Sequence, residues 1–309
     1  MEEIEITSET QQLLEEHGLN WKVRKHPMIT DLSNPSSPEE IDKDRVKMTK
    51  FQATVREDTE KVLGVVTDRY EPKQNGEILQ LVNDAARQHK LEIVRAGSFK
   101  EGRRVFMQLK MPENYQVDND ELERYVFAMS SHDGSSSLAF GLSNNILSCM
   151  NQFNYFLRKS RFTVRHTRSI HSQATLLQQK IEHILFQQEN LYSVFHKFAG
   201  KEADTKFIEA TINKALRLDK YLDKNEEFST RKENQILELK ESIESEIEEK
   251  GSTVWGVFNG ITHYANHKKS FPNRENGRTE SILTGGAHKL MNRSFSHMTK
   301  ELGMKINLN

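Results

Sequence analysis

Between Arg104 and Leu142 two runs alternate in polarity with a period of two ahead of an Asp-Gly turn, and this points to antiparallel hairpins. Val105, Met107, Leu109 and Met111 alternate with Arg104, Phe106, Gln108 and Lys110, giving one apolar and one mixed face. Tyr125, Phe127 and Met129 repeat the alternation. Asp133-Gly134 then supplies a hairpin turn, because glycine takes a positive φ without steric penalty. Ser136–Leu142 is expected to return as the next strand, and Lys100-Glu-Gly102 to form the turn that precedes the first. Beyond Leu142, Asn144 or Asn145 is expected to cap a helix running to about Leu157.

The flanks read as follows. Ser8-Glu-Thr-Gln11 has capping-box spacing ahead of Leu13 and Leu14, and Gly18 is a stop, so an acidic first helix is expected. Trp21–Lys25, Met48–Arg56 and Lys61–Tyr70 read as strands, the first ended by Pro27 and the third by Pro72. The Ser-, Pro- and charge-rich Asp31–Asp44 reads as a loop. Asn75 is the expected N-cap of a helix over Glu77–His89. After Ser172 the period becomes helical, with helices expected over about 173–198, 204–222, 232–250 and 252–267 and a net basic tail from Ser281. The fold class is therefore α+β: an antiparallel hairpin sheet packed on helices, followed by a mainly helical C-terminal part. The expected divisions are an acidic helix over 1–20, a sheet core with a basic segment over 21–172, and a helical region over 173–309.

Composition narrows the function classes. Cys149 is the single cysteine, which excludes an internal disulfide and an all-thiolate metal site and fits a reducing cytosol. No apolar run is long enough to span a membrane, and the acidic start lacks the parts of a signal peptide. The formal net charge is −1, so any polyanion surface must come from local asymmetry.

That asymmetry is present. From Gly134 to Ile181 there is no Asp or Glu, while Arg158, Lys159, Arg161, Arg165, Arg168 and Lys180 fall inside the interval. Tyr155, Phe156 and Phe162 interleave with these cations. Cations bind phosphates by releasing counterions, and rings stack on unpaired bases at about 1–3 kcal/mol each, so a single strand rewards both together. The candidate nucleic-acid-binding residues are Arg158, Lys159, Arg161, Arg165, Arg168, Tyr155 and Phe162, with Arg103 and Arg104 as phosphate contacts at the sheet edge. The competing reading has the rings in a core and the arginines paired with Glu-rich helices.

Other constellations are weaker. Ser131-His132-Asp133-Gly134-Ser135 holds a nucleophile, a base and an acid in one row, but triad groups must converge in space and neighbours in a turn rarely do. A polar hairpin turn is the ordinary reading; a phosphate-contacting turn built on His132, Asp133 and Ser135 is the alternative. His263 and His267 share a helix face without a third ligand nearby, so no metal is expected. Gly97-x4-Gly102-Arg103 lacks the Gly-Lys-Ser/Thr ending of a phosphate loop. Trp255, Asn259, Thr262 and Asn266 share a face that could hold a base, although a buried Trp with a satisfied N–H is more ordinary.

Several segments in order resemble the phage/plasmid-like protein family, a domain of unknown function of phages, prophages and plasmids. They are Trp21–Pro27, Gly64–Asn75, Ala96–Met111, Ser131–Ser137, Ser148–Asn151, Val164–Thr167 and Trp255–His267. The resemblance implies a mobile-element protein in bacterial cytoplasm and supplies no catalytic residues. The element order is also similar to that of single-strand annealing recombination proteins, which often form rings. The resulting expectation is a nucleic-acid-binding protein that needs no cofactor, favours single-stranded DNA and promotes annealing or recombination, with homo-oligomers to be considered. The alternative is a host-takeover or anti-defence factor that binds a host protein through its acidic and Glu-rich helices. An enzyme acting on nucleic acid through His132, Asp133 and His166, which would need to converge with a metal, ranks last.

Overall fold

The computed structural model describes residues 5–32, 37, 45–135, 138–146, 151–155, 170–222, 227–274 and 276–304. It is an α+β protein, with antiparallel sheets in the first half and a mostly helical second half. Two compact units divide the chain.

The first unit begins with helix α1 (Ser8–Glu16). Its cap is Thr7, one residue earlier than expected, whose Oγ1 accepts the Thr10 N–H. Strands β1 (Val23–Asp31), β2 (Val46–Arg56) and β3 (Lys61–Thr67) form an antiparallel sheet in the order β1-β2-β3. Contrary to expectation, Pro27 does not end β1. The strand continues through a register shift between Pro27 and Ile29, on a sheet edge, where a missing N–H is tolerated.

Helix α2 (Asn75–Gln88) follows, and its cap corrects a third expectation. Gln74 is the N-cap, and the Glu77 carboxylate reaches back to its N–H at 2.8 Å. The Gln74 amide pairs with both the N–H and the C=O of Val23, tying α2 to β1. Ile78, Leu79, Leu81, Val82, Ala85 and Ala86 are buried, as the helical stripe requires.

Strands β4 (Glu92–Phe99), β5 (Arg104–Lys110), β6 (Tyr115–Val117), β7 (Asp120–Ser131), β8 (Ala139–Ile146) and β9 (Asn151–Tyr155) make the second sheet. Its order is β4-β5-β7-β8-β9, with β6 paired to β7. The helix expected over 144–157 is absent where the chain is described: residues up to Ile146 are β8 and Asn151–Tyr155 are β9, paired antiparallel. The asparagines there serve tertiary bonds rather than a cap. Asn144 is buried and accepts the Tyr192 hydroxyl at 2.7 Å. The first unit takes β4, most of β5 and the end of β7; the second takes β6, the start of β7, most of β8, and β9.

Helices α3 (Ile170–Ala199), α4 (Thr205–Leu216), α5 (Asp219–Leu222), α6 (Thr230–Lys250), α7 (Val254–His263), α8 (Gly277–Leu283) and α9 (Gly286–Glu301) complete the chain. α3 from Ile181 onward and all later helices belong to the second unit. The one helix expected over 204–222 is split where Arg217 takes φ 57°. The helix expected to reach His267 ends as a π-turn over Tyr264–Lys268. Phe153 of β9, Phe195 and Phe198 of α3, Trp255 and Phe258 of α7, and Phe295 of α9 form one buried aromatic cluster.

Candidate functional site

Arg158, Lys159, Arg161, Phe162, Arg165 and Arg168 lie outside the described residues, as does His166. Tyr155 is the last residue of β9, in register with Leu142 of β8. The remaining sequence candidates, Arg103, Arg104, His132, Asp133 and Ser135, come together at one end of the β5–β7 pair in the first unit, where the His132 N–H donates to the Arg103 carbonyl at 2.8 Å.

This turn is held closely. Gly134 has φ 72°, the left-handed region in which glycine carries no penalty. β3 runs directly beneath: a Cβ on Gly64 would lie 2.6 Å from the Asp133 Cα. Asp133 Oδ1 accepts the Ser135 N–H at 2.9 Å. Burial pushes the Asp133 carboxyl up, but bonds from Ser135 and Ser131 and the Arg104 guanidinium outweigh it and hold it below its ordinary value. Tyr70 donates its hydroxyl to the Ser131 carbonyl at 3.2 Å, and burial together with the Asp133 charge raises it to about 12. Arg103 is exposed and Arg104 half-buried, so both cations stand beside the turn.

His132 does not face the seryl hydroxyls. It is fully buried, with Nε2 2.8 Å from Asn75 Oδ1 and its ring edge-on to Trp21 at 5.4 Å. The Asn75 amide nitrogen donates to the Leu19 carbonyl at 3.0 Å and leans toward that of Trp21 at 3.4 Å. An amide oxygen can only accept, so His132 carries its proton on Nε2, and Nδ1 is a buried acceptor with no hydrogen-bond partner among the described residues. Burial pulls the imidazole down to about 4. A neutral, sealed imidazole cannot serve as an exposed general base; His132 ties the turn to α2 and to the chain entering β1.

The Trp255 face is likewise internal. The indole N–H donates to Asp120 at 2.8 Å, and Lys250 reaches the other oxygen of that carboxylate at 2.6 Å with both partners buried. Asn259 donates to the Trp255 carbonyl at 2.9 Å and Asn266 to that of Gln152 at 2.9 Å, so these amides are occupied by backbone. His263 and His267 stand 4.9 Å apart by ring centroid, and among the described residues they join no group of three or more metal-ligating side chains. Sequence reasoning missed one feature of the second unit: Arg217, Arg231, Lys232, Lys269 and Arg293, scattered over 77 positions, converge near the C-terminus of α4 and the first turns of α6 and α9.

The fold and this polar framework define an α+β protein with two sheets, a helical C-terminal region and a cationic cluster in its second unit. The chain belongs to the DUF932 family, a domain of unknown function whose model matches residues 62–289. No curated protein and no solved structure matches it. No helix among the described residues is long and apolar enough to cross a membrane.

Proposed function

We propose that the chain is a nucleic-acid-binding protein of a phage or plasmid, working in the bacterial cytoplasm on single strands and promoting their annealing or recombination. The observation that carries this reading is the acid-free interval Gly134–Ile181, with five cations between Arg158 and Arg168 and stacking rings at Tyr155 and Phe162. Local neutralisation is hard over so long an interval, and a phosphodiester chain supplies the missing negative charge. Arg103 and Arg104 add cations beside the 131–135 turn. The three-stranded sheet offers a similar pairing of charge and ring: Phe51 is 43% exposed, and the Lys50 ammonium lies 5.7 Å from its ring centroid.

A gel-shift titration with single- and double-stranded DNA at several salt concentrations tests the reading. Retention of the single strand at low salt, weaker retention of the duplex, and loss of both as salt rises are expected. No retention of either at low salt removes it.

The protein-binding alternative has its own support. Glu233, Glu241, Glu244, Glu248 and Glu249 are exposed on α6, where Leu237 is also 58% exposed. A host protein retained on the chain after nuclease treatment, with no strand binding, favours it.

A further inference from the structure

Helix physics places anions at helix N-termini and cations at C-termini. The second unit nonetheless sets cations at two helix N-termini. The first turn of α6 carries Arg231 and Lys232 beside Glu233, and its N-cap Ser229 makes no side-chain capping bond. The first turn of α9 opens on Gly285-Gly286, where Ser281 Oγ accepts the Ala287 N–H at 3.2 Å, and the Lys269 side chain lies along it: a Cβ on Gly286 would meet Lys269 Cε at 3.3 Å and Nζ at 3.5 Å.

Two more cations converge on the same region. Arg293 donates through Nη2 to the Ala215 carbonyl, and Lys232 Nζ lies 3.4 Å from the Leu216 carbonyl, so both reach the last residues of α4. Lys232 also contacts Gln235 Oε1 at 3.1 Å and stands 5.8 Å from the Tyr221 ring centroid. Arg217 caps α4 with a left-handed backbone.

Capping of α4 accounts for one nitrogen of Arg293 and for Lys232. It leaves the buried Arg293 Nε without a partner among the described residues and does nothing for Lys269 or Arg231. None of the five cations forms a salt bridge with a described carboxylate. Glu233 and Glu238 share α6 with Arg231 but pair with none of them. Burial lowers Lys232, Lys269 and Arg293, and each is lowered further by its cationic neighbours. Three half-buried cations that repel one another, with no carboxylate paired to them among the described residues, form an arrangement that an anion would relieve.

We propose that Lys232, Lys269 and Arg293, with Arg231 and Arg217 at the rim, bind a phosphoryl group. Two ammonium groups and a planar guanidinium supply point charges and a fork suited to a tetrahedral dianion. The phosphoryl group comes either free, as phosphate or a nucleotide, or as part of a nucleic-acid backbone. The site does not depend on Arg158–Arg168.

Thermal unfolding of the full chain at constant ionic strength tests this. Millimolar sodium phosphate replaces chloride, below the range in which excluded salts stabilise proteins generally. The comparison is Lys269→Gln/Arg231→Gln, chosen because Arg293 and Lys232 hold the α4 carbonyls and their removal risks the fold. Expected are a rise of a few degrees in wild-type Tm with phosphate, and a variant that melts no lower than wild type in chloride but no longer responds to phosphate. No wild-type response, or an equal response in the variant, overturns the proposal. An oligothymidylate arm separates the sources. If the variant loses strand binding together with its phosphate response, the phosphoryl group belongs to a strand; if it keeps strand binding, the ligand is free phosphate or a nucleotide.

Discussion

At the scale of the residue, the centre of the first unit is the bond between Asn75 and His132. Removing the amide in Asn75→Ala leaves the Leu19 carbonyl and the His132 Nε2–H buried and unpaired, and each orphaned group costs about 1–3 kcal/mol. A loss of about 2–4 kcal/mol in urea unfolding is expected. The histidine sets a pH dependence. Its folded value is about 4 against an ordinary 6.5, so between these values the unfolded chain binds a proton that the folded chain refuses. Stability from this group is therefore complete above pH 6.5 and falls as pH drops toward 4. The change is on the order of 3 kcal/mol across that window. In His132→Gln the urea midpoint should vary less with pH there, by about one proton; an unchanged slope would show that His132 is not the group responsible. The sequence showed that Trp255 needs a partner for its N–H, because that need is intrinsic to indole. It did not show that Asn75 spends its amide on a residue 57 positions away, because a cap and a long-range bond use the same side chain.

At the scale of the element, close approach decides which substitutions are tolerated. α6 and α7 pack so tightly that a Cβ on Gly260 would lie 2.4 Å from Ile243 Cα and 2.8 Å from both the Ile243 nitrogen and the Ser242 oxygen. These are backbone atoms, so the helices must separate. Gly260→Ala is expected to cost more than about 2 kcal/mol by chemical denaturation. Gly200→Ala, whose new Cβ would stand 3.6 Å from the His196 carbonyl, should be close to neutral by the same measurement. The buried Lys250–Asp120 pair joins the end of α6 to the start of β7. Lys250→Met strands the Asp120 carboxylate beside Glu246, whose own carboxyl is raised by burial against the opposing Lys250 charge. A loss of about 3–5 kcal/mol is expected for that variant, against less for Trp255→Phe, which removes a donor and part of a buried ring but strands no charge. Long elements of clear period were legible, as with α2, β5 and α6. The stretch from Asn144 to Tyr155 was not. Its asparagines signal a helix cap locally, whereas Asn144 and Asn145 instead answer Tyr192 and Glu123. Tertiary bonding overrode local preference.

At the scale of the whole molecule, charge separates the two candidate sites by how each could be found. The 158–168 track is a run in sequence, so its asymmetry was visible without a fold. The Lys232–Lys269–Arg293 cluster draws on segments dispersed along the chain among many acids, and only folding brings its members together. With a formal net charge of −1, the protein has no overall field to draw a polyanion in. On the proposed function, strand binding would arise from contacts counted one by one, and salt reads that count. Neutralising one single-strand phosphate changes the logarithm of affinity by about −0.7 per decade of salt, so five contacts from Arg158, Lys159, Arg161, Arg165 and Arg168 give a slope of about −3.5. Raising salt from about 50 to 200 mM should weaken binding on the order of 100-fold. Each single replacement by Gln in that track should reduce the slope by about 0.7, whereas Tyr155→Ala should weaken binding at every salt concentration and leave the slope unchanged. If the slope instead falls only when Lys269 or Arg231 is replaced, the strand lies on the helical cluster and the acid-free interval is not its contact.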